Sequence, residues 1–122
     1  MILVDTSIWI DHIRNGDQCL AGLLGERKVL THPLITEELA CGNLKNRPYI
    51  LGLLEDLPQA PQVDHDELLE FIARHKLNGS GLGAVDVHLL ASAFLANAAL
   101  WSRDQHLSKA ARKFGISHPE AS

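Results

Sequence analysis

The sequence predicts an α/β fold with a mostly parallel central sheet flanked by about seven helices. Short apolar runs at residues 1–4, 28–32 and 98–101 are typical of buried strands, and amphipathic stretches separate them. This alternation favours parallel pairing, because each crossover between parallel strands carries a helix. With 122 residues, 46% of them hydrophobic, the chain is expected to form a single domain over residues 1–122 with a substantial core.

The helix boundaries are marked by capping residues. Thr6 and Ser7 are helix-capping types directly behind the first strand, so a helix is expected from Ile8 onward. Near the other end of the chain, Ser102 and Gln105 have the spacing of a capping box and predict the start of the last helix. Further helices are predicted at residues 17–25, 34–42, 48–57, from 64 onward and at 84–96.

Three connecting segments have their own signals. The prolines in residues 58–63 limit this extended segment to the edge of the sheet, because proline has no N–H to donate. Residues 78–83 contain alternating glycines and are expected to be the most flexible part of the chain. Residues 116–119 are predicted to form a final short strand or a tail.

Composition excludes several classes of protein. The net charge of −4 argues against a general polyanion binder, although a local basic patch is compatible with it. No apolar run approaches the roughly 20 residues of a membrane span, so no membrane association is expected. The N-terminus lacks the features of a signal peptide, which predicts a cytoplasmic location. Cys19 and Cys41 form no C-x-x-C pair and are expected to be reduced thiols.

Aspartates lie at the ends of predicted elements. Asp5 ends the first strand, at the edge where open α/β sheets bind ligands. Asp86 falls in the first turn of a nearly all-apolar helix. The helix dipole stabilises a negative charge there by only about 0.3–1 kcal/mol, which is less than the cost of burying an ionised carboxylate. A bound cation is therefore slightly favoured for Asp86 over an exposed helix start. Asp104 lies in the first turn of the last helix and, taken alone, is more typical of capping.

Glu37 and Glu38 are adjacent but are predicted to face opposite sides of the third helix. At about 100° per residue, Glu38 shares an arc with Ile35, Leu39 and Gly42, which must face inward if the helix packs on the sheet. Glu38 is therefore a candidate for the site, and Glu37 is expected to be solvated. Each acid alone is weak evidence, but four acids at element ends form a stronger signal.

These four acids stand in short motifs that occur together along the chain. The motifs are Val4-Asp5-Thr6-Ser7, Glu38-Leu39-x-x-Gly42, Asp86-x-x-Leu89-Leu90-Ala91-x-Ala93 and Trp101-Ser102-x-Asp104. They resemble the PIN domain, and most closely the VapC-like toxins of bacterial and archaeal toxin–antitoxin pairs, over essentially the whole chain. The first and third motifs are the specific ones. Ser102 stands where the family often has Thr, and both residues carry a hydroxyl.

The resemblance implies a metal-dependent endoribonuclease, a phosphodiester hydrolase that cuts RNA, often structured or transfer RNA. It also implies a cognate antitoxin that silences the enzyme, and a homodimer. Clustered carboxylates repel one another unless a cation or protonation intervenes, and hard oxygen ligands suit Mg²⁺ or Mn²⁺. Asp5 and Asp86 are the expected principal metal ligands. Asp104 and Glu38 are expected to act as further ligands or to orient water, and all four acids are candidate catalytic residues.

Polar and basic side chains complete the candidate site. Thr6, Ser7 and Ser102 are candidates for contacts behind the metal ligands or to phosphate. Candidate contacts to RNA phosphates are Arg14, Lys45, Arg47, Arg103, Lys109, Arg112 and Lys113. Each of these basic residues is explained equally well by a solvated charged face.

Aromatic residues and histidines give weaker signals. Trp9 and Trp101 lie in apolar runs and are expected in the core rather than as platforms for base stacking. The histidines lack zinc-ligand spacing. His106 lies two positions after Asp104 and could contact RNA, but a histidine on the surface of the last helix is the simpler interpretation.

Two other functions remain open on the residues alone. The first is an Asp-based phosphotransfer domain, either a receiver or a haloacid-dehalogenase-like phosphatase. Such phosphatases place a second Asp two residues after the first, where this chain has Ser7, and a receiver would need its acceptor after the third strand, where only Asp64 is found. The second is a non-catalytic PIN-like binding module, against which the complete set of acids argues.

Overall fold

Three short parallel strands form the centre of the computed structural model, which describes residues 1–118. They are β1 (Ile2–Val4), β2 (Val29–Leu30) and β3 (Ala99–Trp101), arranged in the order β2-β1-β3. Both pairings are parallel, so the carboxyl ends of all three strands lie at the same edge of the sheet. The predicted parallel α/β sheet is confirmed.

Seven helices accompany this sheet in the described part of the chain, as predicted. They are α1 (Thr6–Asn15), α2 (Gln18–Gly25), α3 (Pro33–Ala40), α4 (Arg47–Asp56), α5 (His65–Arg74), α6 (Ala84–Leu95) and α7 (Gln105–Lys113). Helices occupy both crossovers between paired strands, as parallel pairing requires. Of the helices between residues 1 and 118, none combines the length and the apolar character that a membrane span requires.

The core is built on the central strand. Leu3 of β1 lies opposite Leu30 on one side and Leu100 on the other, and all three side chains are buried. Trp9 and Trp101 are each only 1% exposed, so both belong to the core, as predicted, and neither is a surface platform for RNA bases. Helix α6 has six buried residues among its 12, all between Val87 and Ala93, which is the central and buried position that its composition predicts.

The segments at the edges of the sheet are shorter than predicted. The second strand, expected over residues 28–32, is limited to two residues and one further parallel bridge between Thr31 and Gln59. This bridge is also all that forms of the edge strand expected at residues 58–63, because its prolines cannot extend the ladder. The final segment contributes a single bridge through Ser117, and residue 119 lies outside the described residues.

Two predicted helix starts are wrong in detail. Helix α1 begins at Thr6, so the residue in the cap position is Asp5, one place earlier than predicted. For α7 the cap is Asp104, whose carboxylate accepts the N–H of Leu107 at 2.9 Å, and not Ser102. The reason is that the backbone is still extended at Asp104, so the first helical turn starts after it.

Candidate active site

Asp5 is the centre of the candidate site. It follows β1 directly and is 7% exposed. Although Asp5 occupies the cap position of α1, its carboxylate makes no capping hydrogen bond. Instead Oδ2 accepts hydrogen bonds from the hydroxyls of Ser7 at 2.9 Å and Ser102 at 2.7 Å. Because both hydrogen bonds fall on Oδ2, Oδ1 keeps its lone pairs for a further ligand.

The two serines are themselves held by the backbone that follows β3. The N–H of Arg103 donates to Oγ of Ser7, and the N–H of Asp104 donates to Oγ of Ser102, both at 3.0 Å. Each serine therefore accepts one backbone N–H and gives its only hydroxyl proton to Asp5. This network holds the hydroxyls of Ser7 and Ser102 against the Asp5 carboxylate, and a contact of either serine with a metal-bound phosphate stays a prediction.

Asp86, near the start of α6, is electrostatically coupled to the other acids. Its pKa is raised mainly by burial, and the negative charges of Asp104 and Asp5 raise it further. The N–H of Gly83, which donates to Oδ2 at 3.2 Å, and the nearby His106 act in the opposite direction. Asp86 is therefore within electrostatic range of Asp5 and Asp104, and the serine network joins these two to each other.

Asp104 combines a structural and a potential ligand role. Its Oδ1 accepts the N–H of Leu107 and so caps α7. A carboxylate has two oxygens with several lone pairs, so this cap leaves Oδ2 for another partner. The capping function that its position suggested is therefore real, and it does not compete with a role in the site.

Glu38 and Glu37 have different surroundings, as the helical phase of α3 predicts. Oε1 of Glu38 accepts a hydrogen bond from the Thr6 hydroxyl at 2.7 Å, which links α3 to the residue next to Asp5. Glu37 lies in a different depression, near Glu55 of α4. Glu38 is exposed rather than buried, so it lies at the rim of the site.

The donor set fits a hard divalent cation that keeps much of its hydration. All the candidate ligand atoms are carboxylate oxygens, as Mg²⁺ and Mn²⁺ prefer. Within residues 1–118 no three acidic, histidine or cysteine side chains converge closely enough to hold one ion directly. Mg²⁺ is commonly bound through one or two carboxylates while it retains several water molecules, and this arrangement is compatible with that mode.

Comparison with known proteins decides between the possible families. The PIN domain matches residues 2–113. The chain belongs to the PIN-domain family. Two curated relatives, both named Ribonuclease VapC32, come from Mycobacterium tuberculosis strains CDC 1551 / Oshkosh and ATCC 25618 / H37Rv. Each is 49% identical to the chain over 121 residues, which is 98% of both sequences.

This match settles two questions left open by the sequence. The VapC-like resemblance inferred from the four motifs is confirmed, and with it the PIN-type α/β fold. A PIN domain over residues 2–113 also leaves no room for a receiver or a phosphatase-like domain, so that alternative is excluded.

Arg103 of this PIN domain has a structural role at the site. Its guanidinium is paired with Asp11 at 2.9 Å through Nη1 and with Asp17 at 3.0 Å through Nη2. These contacts connect the segment after β3 to α1 and to the start of α2. Since the backbone N–H of Arg103 also holds Ser7, the residue supports Asp5 indirectly. Its predicted contact with RNA would compete with two ion pairs.

Four of the other basic residues named for RNA binding line two depressions. Arg14 and Lys45 line a depression of about 360 Å³ that includes Glu38. Lys109 and Arg112 border a second depression next to Ser102. The remaining candidate on this side, Arg47, is exposed and makes a 3.4 Å hydrogen bond to the Gly42 carbonyl. Basic side chains thus flank the acids, and their contacts with RNA stay predictions.

Two histidines have surroundings that sequence reasoning missed. His106 is exposed, as expected, but its ring packs against Gly81, where an added Cβ would lie 2.8 Å from the ring. His32 is 1% exposed and caps α3 by accepting the N–H of Leu34 at Nδ1. Its position directly before Pro33 is a capping signal that could have revealed this role. The contact between His106 and the loop has no local signal.

Proposed function

We propose that this protein is a metal-dependent endoribonuclease and the toxin of a toxin–antitoxin pair. The observation that carries the proposal is the hydrogen-bond network at the carboxyl edge of the sheet, in which Ser102 joins the Asp5 carboxylate to the backbone N–H of Asp104. Asp86 lies close enough for both charges to raise its pKa. The relatives named as ribonucleases span the same length and support it independently. A complete set of acids, each held by specific hydrogen bonds, favours an active enzyme over a non-catalytic binding module.

In this proposal Asp5 and Asp86 hold a Mg²⁺ or Mn²⁺ ion, with Asp104 and Glu38 as further ligands or water-orienting groups. The ion, when bound, supplies positive charge at the scissile phosphate and makes an attacking water more acidic. Ser7 and Ser102 keep the Asp5 carboxylate in one orientation. Glu38, fixed through Oε1 by Thr6, offers Oε2 to a water that approaches the phosphate.

The partners follow from the same proposal. The substrate is RNA, structured or transfer RNA being the expected class, and a cognate antitoxin blocks the enzyme in the cell. A homodimer and a cytoplasmic location stay predictions. The basic residues on both sides of the acids are the expected contacts for the phosphate backbone, whose charge the net charge of −4 would otherwise repel.

The proposal is tested by RNA cleavage with purified protein. Cleavage should stop in excess EDTA, return with added Mg²⁺ or Mn²⁺, and be absent in Asp5→Asn. This substitution preserves size while it removes the charge that binds metal. A circular dichroism spectrum and a melting curve serve to check that the variant is folded. Full activity in EDTA would refute the metal requirement, and failure to cut any cellular RNA with either ion would favour the non-catalytic module.

The RNA target and the partner require a cellular experiment. The protein should inhibit growth when expressed alone, and co-expression with the small protein encoded beside it should restore growth. Sequencing of the new RNA ends would then identify the cleaved RNA. Asp5→Asn, expressed at the same level, is the matched control and should not inhibit growth.

A further inference from the structure

A cavity of about 640 Å³ lies next to the candidate active site. Its walls come from the segment after α5, from the C-terminal half of α6 and from α7. His106 connects it to the acids, because this residue lines the cavity and lies in the first turn of α7, two positions after the cap residue Asp104. Its lining residues include Lys76, Phe94, His106, Lys109, Lys113 and Phe114.

One wall of the cavity is a basic row along α7. His106, Lys109 and Lys113 are spaced by three and four residues, so they follow one face of the helix. Lys76 adds a third ammonium group from the segment after α5. None of these lysines forms an ion pair with a carboxylate of residues 1–118, so their charges are available to an anion.

The floor of the cavity is aromatic. Phe94 is 43% exposed, although it belongs to the most buried helix of the fold. Its ring centroid lies 5.4 Å from that of Phe114 and 5.6 Å from that of His75, and those two rings are 4.8 Å apart. A partly exposed ring supported by two others offers a rigid flat surface of the kind on which an unstacked nucleobase binds.

We propose that this cavity binds the nucleotides that flank the scissile phosphate, with lysines on phosphates and Phe94 beneath a base. The proposal rests on the proposed ribonuclease function. The row from His106 to Lys113 rises about 10 Å along the helix axis. A stacked strand rises about 3.4 Å per nucleotide and an unstacked one rises more, so this length accommodates at most about three nucleotides. The acids lie beyond the His106 end of this row. A bound strand would therefore run along the row, from the acids at one end to Lys113 at the other.

The chemistry of the cavity selects single-stranded RNA over a duplex. A base can lie on Phe94 only after it leaves its stack, which a loop or bulge permits and a blunt duplex resists. The lysines recognise phosphates without regard to sequence. The cavity would therefore direct cleavage toward unpaired positions of a structured RNA.

Binding measured without cleavage tests this site directly. The probes are a fluorescein-labelled RNA hairpin with an unpaired loop and a matching blunt RNA duplex, titrated in EDTA at several salt concentrations. We expect Phe94→Leu to weaken hairpin binding about tenfold, because leucine keeps the apolar contact but has no ring for a base to stack on. Phe94→Tyr keeps the ring and should bind the hairpin as the wild type does. Duplex binding should change little in either variant.

Charge is tested with a triple variant and a matched control. The triple variant combines Lys76→Gln, Lys109→Gln and Lys113→Gln. The logarithm of its association constant should fall less steeply with the logarithm of salt concentration, by about 2 in slope, since each lost phosphate contact contributes about 0.7. The control is Lys28→Gln, which removes an exposed lysine paired with Glu26 at the opposite edge of the sheet. Its binding should match that of the wild type, and melting curves of all variants check the fold.

The outcomes separate this proposal from the ribonuclease function. If the wild type cuts the hairpin with Mg²⁺ and the cavity variants bind and cut it equally well, the flanking-nucleotide site is overturned and the ribonuclease stands. If binding depends on Phe94 and the lysines as expected but no ion produces cleavage, the site stands and the ribonuclease fails. A slope change in Lys28→Gln of about 0.7, one third of that in the triple variant, would overturn the site as a general charge effect.

Discussion

The Ser102 hydroxyl donates a hydrogen bond to Oδ2 of Asp5 over 2.7 Å, and the two residues are 97 positions apart in the chain. The same serine accepts the N–H of Asp104, so one small side chain links two acids of the candidate site. Ser102 is 2% exposed, so its hydroxyl is bonded inside the protein and not to bulk solvent. Its hydroxyl therefore fixes the position of Asp5 relative to the start of α7.

Removal of this hydroxyl should impair both stability and activity. Ser102→Ala leaves a buried carboxylate oxygen and a backbone N–H each without this partner, so we expect a loss of about 1–3 kcal/mol in unfolding free energy. RNA cleavage should fall about 10–100-fold, the scale for loss of a group that orients a metal ligand. Ser102→Thr keeps the hydroxyl and should retain most activity. Equal activity of Ser102→Ala and wild type at saturating metal would contradict this role.

Glu38 and Glu37 provide a matched pair for the rim of the site. Glu38→Gln removes a charge from a side chain that Thr6 orients, and cleavage should fall about 10²-fold or more. Glu37→Gln changes an exposed residue outside this network, so activity should change little and stability by less than about 0.5 kcal/mol. Assays of both variants at saturating Mg²⁺ decide the question. Greater damage from Glu37→Gln would show that the wrong face of α3 has been assigned to the site.

Burial of His32 predicts a loss of stability in mild acid. Burial lowers the pKa of His32 from 6.5 to about 4, and the charge of His88 acts in the same direction. Since the unfolded chain binds this proton more readily, stability is complete above pH 6.5 and falls by about 1.4 kcal/mol per pH unit between 6.5 and 4. His32→Asn keeps an acceptor for the Leu34 N–H and should lose less stability between pH 7 and 5. Denaturant unfolding at both pH values measures this difference, and equal losses would refute the assignment.

Protonation of Asp86 should have the opposite effect on stability to protonation of His32. Its pKa in the fold is raised, so the folded metal-free protein is stabilised by protonation, and that stabilisation is lost as pH rises through the raised pKa. Asp86→Asn removes the charge and keeps an acceptor for the Gly83 N–H. It should therefore raise the melting temperature of the metal-free protein at pH 7 by a few degrees. Added Mg²⁺ should stabilise the wild type more than the variant. A lower melting temperature for metal-free Asp86→Asn would count against the cluster.

The order of the elements was predictable because each leaves a local pattern. Apolar runs marked the strands, and the phase of α3 separated Glu38 from Glu37. The hydrogen-bond partners were harder, since the contact between Asp5 and Ser102 depends on the pairing of β1 with β3. The sequence placed both Asp5 and Asp104 near the start of a helix. It did not show that the Asp104 carboxylate caps its helix while the Asp5 carboxylate makes no capping hydrogen bond.

Other features depend on several helices at once and had no local signal. The aromatic floor combines one ring from α6 with others that follow α5 and α7, so no single segment indicates it. The exposure of Phe94 likewise follows from the place where α6 emerges from the core. The segment at 58–63 failed as a strand because local β signals cannot overcome its missing donors.

The strand order β2-β1-β3 also determines when the site can first exist during synthesis. Asp5 leaves the ribosome early, but its partner Ser102 is added 97 positions later. At roughly 5–20 residues per second, this separation corresponds to roughly 5–20 s of translation. Throughout that interval β1 lacks its pairing with β3, and Asp5 lacks both Asp104 and one of its two hydroxyl donors. Until residues 102–104 have been added and β3 has paired with β1, the candidate site at the edge of the sheet cannot form.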